Sequence, residues 1–144
     1  MFGKVLIANR GEIACRVIQT CKRLGIATVA IYSDAEPNAL HVQLADEAYN
    51  VGKAASSESY LNIQRIVEVA VESGAEAIHP GYGFLSENPS FVKACEESGI
   101  RFIGPTPELM TRMGDKVVAR RLASESGLPI VPGTNGDIED KVAL

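Results

Sequence analysis

Three short stretches hold residue types that could do chemistry. Ile78 to Pro89 (IHPGYGFLSENP) sets four turn-forming residues, Pro80, Gly81, Gly83 and Pro89, around His79, Tyr82 and Glu87. Glycines on both sides of Tyr82 let the backbone bend sharply and come close to another surface while the ring projects. The same residues also suit a plain turn before a capped helix, with His79 hydrogen-bonded at a strand end. A lone histidine, with no second histidine or carboxylate at ligand spacing, does not make a metal site. Asn9, Arg10, Gly11 and Glu12 form a second tight turn, and the helix after it could face an anion with its free N–H groups. Only Gly11 of a G-x-G-x-x-G pattern is present, which counts against a dinucleotide fingerprint. The third stretch is Met113 to Lys116 (MGDK), where Gly114 and Asp115 set a turn and a cap and leave Lys116 in the first turn of a helix. A cation there opposes the helix dipole, so Lys116 is either simply solvated or held for an external anion such as phosphate.

These stretches must be positioned by the elements around them. Lys4 to Ala8 (KVLIA) reads as a strand, and Ile13, Val17, Cys21 and Leu24 then recur at helical spacing until Gly25. Ala27 to Tyr32 (ATVAIY) is a second continuous apolar run, suited to a strand buried on both faces, so the chain opens with a right-handed βαβ unit. Ala48 to Val51 is a weaker third strand. Asn62 caps a helix with the apolar stripe Ile63, Ile66, Val67, Ala70 and Val71, closed by Gly74, and Ala75 to Ile78 is a fourth strand. Asn88 and Pro89 start the next helix, with Phe91, Val92 and Cys95 as its buried stripe and Gly99 at its end. Arg101 to Ile103 is a fifth strand. Thr106 and Pro107 start a helix to Met113, and Asp115 caps another through Ser126.

Repeated strand and helix units with apolar strands predict an α/β fold with a doubly wound, open parallel sheet. In such a sheet ligands bind beyond the carboxyl ends of the strands, and the three stretches named above are the places to read there. Asp34, at the end of the second strand, could hold a ribose hydroxyl but reads better as a turn former. Leu128 to Gly136 (LPIVPGTNG) is turn-rich and linker-like, and Asp137 to Leu144 resembles the opening of a helix.

Composition narrows the class. With 144 residues, 46% of them hydrophobic, the chain can bury a real core as one domain with a piece of a second. A formal charge of −4 with interspersed charges gives no broad basic surface, which excludes nucleic acid as a default partner. The apolar runs are too short to span a bilayer. Cys15, Cys21 and Cys95 form no C-x-x-C pair and leave an odd thiol, so a disulfide framework or zinc site is not expected. Cys21 should be core and Cys15 partly exposed. With no leader segment, the expected location is the bacterial cytoplasm, or a mitochondrion or plastid if a transit peptide has been removed.

Taken in order, VLIANRGEIACRVI (Val5 to Ile18), ATVAIYSDA (Ala27 to Ala35), ADEAYNVG (Ala45 to Gly52), SYLNI (Ser59 to Ile63), IHPGYGFLSEN (Ile78 to Asn88), FIGPTPE (Phe102 to Glu108) and MGDK followed by GLPIVPG (Gly127 to Gly133) form a specific pattern. The chain closely resembles the N-terminal part of biotin carboxylase, over essentially all its residues. That resemblance implies a Rossmann-like, pre-ATP-grasp domain over residues 1–113, and over 114–144 a linker helix and the beginning of an ATP-grasp domain. It also implies a reaction: carboxylation of a biotin on a carrier protein, with MgATP and bicarbonate, through a carboxyphosphate intermediate.

By the same resemblance Lys116 touches ATP, and Tyr82 and Gly83 lie near the biotin. The phosphate loop, the magnesium ligands and the groups that handle bicarbonate lie beyond Leu144 in the family, so no catalytic residue is assigned within this chain. Implied partners are the biotin carboxyl carrier, a carboxyltransferase and a second copy in a homodimer to which the first helix contributes. The polar face of that helix (Glu12, Arg16, Gln19, Arg23) also reads as simply solvated. Competing readings are the first domain of another ATP-grasp ligase such as a carbamoyl-phosphate synthetase, a stand-alone nucleotide-binding module, or a pure interaction domain. HPGYGFLSEN argues against the first, and the missing glycines against the second.

Overall fold

The computed structural model describes residues 1–131. It contains a five-stranded, wholly parallel sheet built from β1 (Lys4–Ile7), β2 (Ala27–Ser33), β3 (Glu47–Gly52), β4 (Ala77–His79) and β5 (Arg101–Phe102), in the order β3-β2-β1-β4-β5. Six α-helices join or follow them: α1 (Gly11–Arg23), α2 (Leu40–Leu44), α3 (Ile63–Glu72), α4 (Pro89–Glu97), α5 (Pro107–Gly114) and α6 (Lys116–Glu125). The expected helix opening at Asp137 to Leu144, and all of the turn-rich stretch beyond Val131, lie outside the described residues.

Alternation along the central strand sorts the core into two layers, because successive side chains point to opposite faces. Leu6 and Ala8 join Val29, Ile31, Ile78 and Phe102 under α3 and α4, where Ile66, Ala70, Phe91 and Cys95 are fully buried. Phe91 meets Phe102 edge to face at 5.8 Å. Val5 and Ile7 face the other way, toward Ala14, Ile18 and Cys21 of α1. Helices thus cover both faces, as the doubly wound reading requires.

Side-chain caps start four helices where the sequence places them. Asn62 accepts from the Arg65 N–H, Asn88 from those of Ser90 and Phe91, Thr106 from that of Leu109, and Asp115 from those of Val117 and Val118. Two expected stripes are corrected. On α1 the buried residues are Ala14, Ile18 and Cys21, whereas Ile13 and Val17 are half-exposed and Leu24, one position past the helix, is 54% exposed. On α3, which packs against α4 as well as the sheet, the buried arc turns to Val69 and leaves Val71 exposed. α2 has no sequence expectation behind it. It has no side-chain cap and only five residues, and it buries His41, whose Nε2 lies 3.1 Å from the Ile31 carbonyl.

Candidate functional site

The strand order reverses direction at β1. The chain leaves β1 for β2 on one side, while β4 lies on the other, so the crevice of this sheet opens between the connections that follow β1 and β4. Those connections are the Asn9–Glu12 turn and the 79–84 turn, and hydrogen bonds lock them together.

Asn9 is 3% exposed, and its side-chain amide donates to the carbonyls of Pro80 and Tyr82, both at 2.8 Å. Its Oδ1 accepts the Arg10 N–H at 2.9 Å. Every polar atom of this buried side chain is therefore used, which is what a buried amide needs to avoid a desolvation penalty. Gly81 sits against it with φ +65°, and a Cβ there would lie 2.7 Å from Asn9 Nδ2. Gly83 also has φ +67°, but open space lies where its Cβ would be. One glycine is required by conformation and close approach, the other by conformation alone.

His79 ends β4 and accepts the Gly81 N–H on Nδ1 at 3.0 Å, which puts the neutral ring's proton on Nε2. Burial lowers its pKa below the usual histidine value. Tyr82 projects into solvent, 58% exposed, and its hydroxyl donates to the Glu12 carboxylate, an interaction that raises the phenol pKa. Glu12 in turn lies 3.9 Å from Arg16 across one helical turn. Phe84 closes the turn with φ +43°, the one described non-glycine residue with positive φ.

Tyr82 and Gly83 are thus brought together with Asn9, Glu12 and His79 at the carboxyl end of the sheet. Lys116 is not joined to them. It is an exposed residue at the start of α6, which packs on α5, and no hydrogen bond or ion pair among the described residues links it to the turn. Asp34 is occupied structurally: it accepts from Asn50 at 2.8 Å, and its N–H donates to the Gly52 carbonyl at 2.9 Å. Cys15 is half-exposed and Cys21 and Cys95 are buried, as expected. Sequence reasoning missed the supports of Phe84: Glu36 and Tyr60, whose contacts run between connections far apart in the chain.

The fold and crevice define a doubly wound α/β domain of the kind that places a ligand at its topological switch point. Comparison with known proteins narrows this further. The family model for the N-terminal domain of biotin carboxylase matches residues 1–110. The chain is 55% identical to biotin carboxylase of Halalkalibacterium halodurans, covering 98% of this chain and 31% of that protein. It is 56% identical to the small subunit of 2-oxoglutarate carboxylase from Hydrogenobacter thermophilus, covering 97% and 29%. Among solved structures, the biotin carboxylase domain dimer of that 2-oxoglutarate carboxylase, in complex with MgADP, ADP and bicarbonate, matches with TM-score 0.89 at 56% identity, over 97% of this chain and 31% of that one. The chain belongs to the biotin carboxylase N-terminal domain family. It spans about three tenths of the length of these relatives.

Proposed function

We propose that this chain is the N-terminal part of an ATP-dependent biotin carboxylase, a ligase that carboxylates biotin on a carrier protein from bicarbonate and MgATP. The observation that carries this reading is the identity of 55% to a biotin carboxylase and 56% to the small subunit of a 2-oxoglutarate carboxylase, in both cases over nearly the whole chain. The solved neighbour that holds MgADP and bicarbonate supports the cofactor set. Residues 1–113 are the pre-ATP-grasp domain, and residues 114–144 lead into the ATP-grasp domain.

In this reading the residues of the crevice bind and orient. The fixed 79–84 turn presents the Tyr82 ring and the open side of Gly83 to the biotin, and Glu12 holds the tyrosine hydroxyl so that the ring keeps one direction. Lys116, exposed at a helix start, suits an anion from outside the described residues, and we assign it to the nucleotide phosphates. Phosphoryl transfer to bicarbonate depends mainly on positioning and charge neutralisation, and the groups for both belong to the longer protein. By the family resemblance, the magnesium ligands are assigned to the longer protein. A carboxyl carrier, a carboxyltransferase and a second copy of the chain are the partners, and a bacterial cytoplasm is the location.

The test compares this chain with a version extended to the relatives' full length, both with magnesium. Calorimetry is expected to show ATP binding only by the extended protein, which should also cleave ATP in a bicarbonate-dependent, biotin-stimulated way. An extended protein without that activity would overturn the reading. Comparable ATP binding by the short chain would favour a stand-alone nucleotide module.

A further inference from the structure

A line of side chains crosses the carboxyl end of the sheet and ends under Phe84. The Arg10 guanidinium meets the Glu36 carboxylate at two points, Nε to Oε1 and Nη2 to Oε2, and the Tyr60 hydroxyl donates to the same carboxylate. The Tyr60 oxygen also accepts the Ser33 N–H at 3.2 Å. Tyr60 is 2% exposed, and its ring stacks on Phe84 with centroids 5.1 Å apart and planes 18° from parallel. Arg10 additionally sits 6.0 Å from the centre of the Tyr60 ring. Arg10 follows β1, Glu36 follows β2, Tyr60 follows β3 and Phe84 follows β4, so each of the four connections supplies one member.

The charge states suit a permanent lock. Hydrogen bonding to Arg10, helped by Tyr60, holds the Glu36 carboxyl below the usual carboxylate range, while burial and Glu36 push the Tyr60 phenol up to about 12. At neutral pH the acceptor is ionised and the donor keeps its proton. A two-point guanidinium contact adds direction to this strength. Core filling does not explain the end of the line. Phe84 is 37% exposed and holds a left-handed backbone that side chains rarely adopt, a conformation that persists only where its surroundings fix it.

We propose that Glu36 is a positioning residue for the biotin-facing turn: joined to Arg10 and Tyr60, it fixes Phe84 and through Phe84 the direction of Tyr82 and Gly83. That the turn faces biotin rests on the function proposed above; the positioning itself does not.

The experiment uses the full-length protein and free biotin as the acceptor. Glu36→Gln keeps the shape and removes the charge, Tyr60→Phe keeps the stacked ring and removes the hydroxyl, and Glu36→Asp keeps the charge. In Glu36→Gln and Tyr60→Phe, KM for biotin is expected to rise roughly five- to tenfold, less than the loss of one whole charge-assisted hydrogen bond because the effect reaches the turn only through Phe84, with KM for ATP within about twofold of the parent and partial recovery in Glu36→Asp. Hydrogen exchange should quicken at residues 81–86 and stay unchanged over α1 and α3. Unchanged exchange at 81–86 overturns the proposal, as does a rise spread over the whole domain, which would mark a merely structural residue. Local loosening with an unchanged KM for biotin overturns the functional half. If the parent protein turns over no biotin, the proposed function fails, and the exchange result still decides whether Glu36 positions the turn.

Discussion

The amide nitrogen of Asn9 donates to the carbonyls on either side of Gly81, and the glycine approaches it so closely that no Cβ fits between them. Gly81 and Gly83 share a left-handed conformation but not this neighbour. In Gly83→Ala only the conformational strain applies, about 1–2 kcal/mol. Gly81→Ala adds overpacking against a buried, fully bonded amide, roughly 1–3 kcal/mol more. Urea midpoints of the two variants should therefore separate, with position 81 the more damaging. Equal losses would show that Asn9 yields.

Lys116→Gln should act in opposite directions on stability and on ligand binding. Removing a cation from the first turn of α6 relieves its conflict with the helix dipole, by about 0.3–1 kcal/mol at most. In the full-length protein, losing one phosphate contact should weaken ATP binding about tenfold, equivalent to roughly 1.4 kcal/mol, and leave KM for biotin alone. Calorimetry with MgATP checks this. Unchanged affinity would leave Lys116 as a solvated surface cation.

Stability should fall in mild acid. Burial lowers the pKa of both His41 and His79 below their ordinary 6.5. The unfolded chain therefore takes up protons first, and the contribution of the two rings is complete above pH 6.5 and shrinks as pH drops toward their lowered native values. Protonated His79 can no longer accept from Gly81, and protonated His41 gains an Nδ1–H that meets no acceptor among the described residues. Near His41, Glu36 favours protonation and Arg10 opposes it. A second loss belongs below pH 4.5, where Glu36 and Glu47, both held below that usual value, pick up protons. Melting curves from pH 8 to 4, with NMR titration of the two imidazoles, test the assignment. A midpoint that rises between pH 6.5 and 5.5 would contradict it.

Thiol labelling should follow burial. Cys95 is fully buried and its pKa is pushed up to about 12, Cys21 is 7% exposed, and Cys15 is half-exposed. Burial raises the pKa of Cys15 as well, so it should react more slowly with iodoacetamide than a free thiol. Mass spectrometry of the folded chain is expected to find Cys15 modified first and Cys95 only after denaturant is added. Early labelling of Cys95 would reveal local opening of α4.

Local signals made most of the fold legible. Continuous apolar runs mark β1 and β2, and each of Asn62, Asn88, Thr106 and Asp115 caps the helix that the sequence places after it. The glycines around Tyr82 announce the turn at 79–84. What the sequence hides is set by packing between distant segments. α2 has neither a side-chain cap nor length, and it is held by its packing on α1 and by the contact of His41 with Ile31. Val69 replaces Val71 in the core because α3 has α4 beside it. The line from Arg10 through Glu36 and Tyr60 to Phe84 has no periodicity at all. Only the strand order brings its members to one end of the sheet.

The register of β1 sets an order of events. Lys4 pairs with Ala27 on one side, while Val5 pairs with Ala77 on the other. As the chain emerges from a ribosome, the first strand made gains one neighbour early and waits for the second until much of the domain has been synthesised. Loop closure over that distance is slow, and an unpaired central strand is open to wrong partners. α1, whose Ala14 and Ile18 cover Ile7, is finished before β2 begins and shields one face of that strand during the wait.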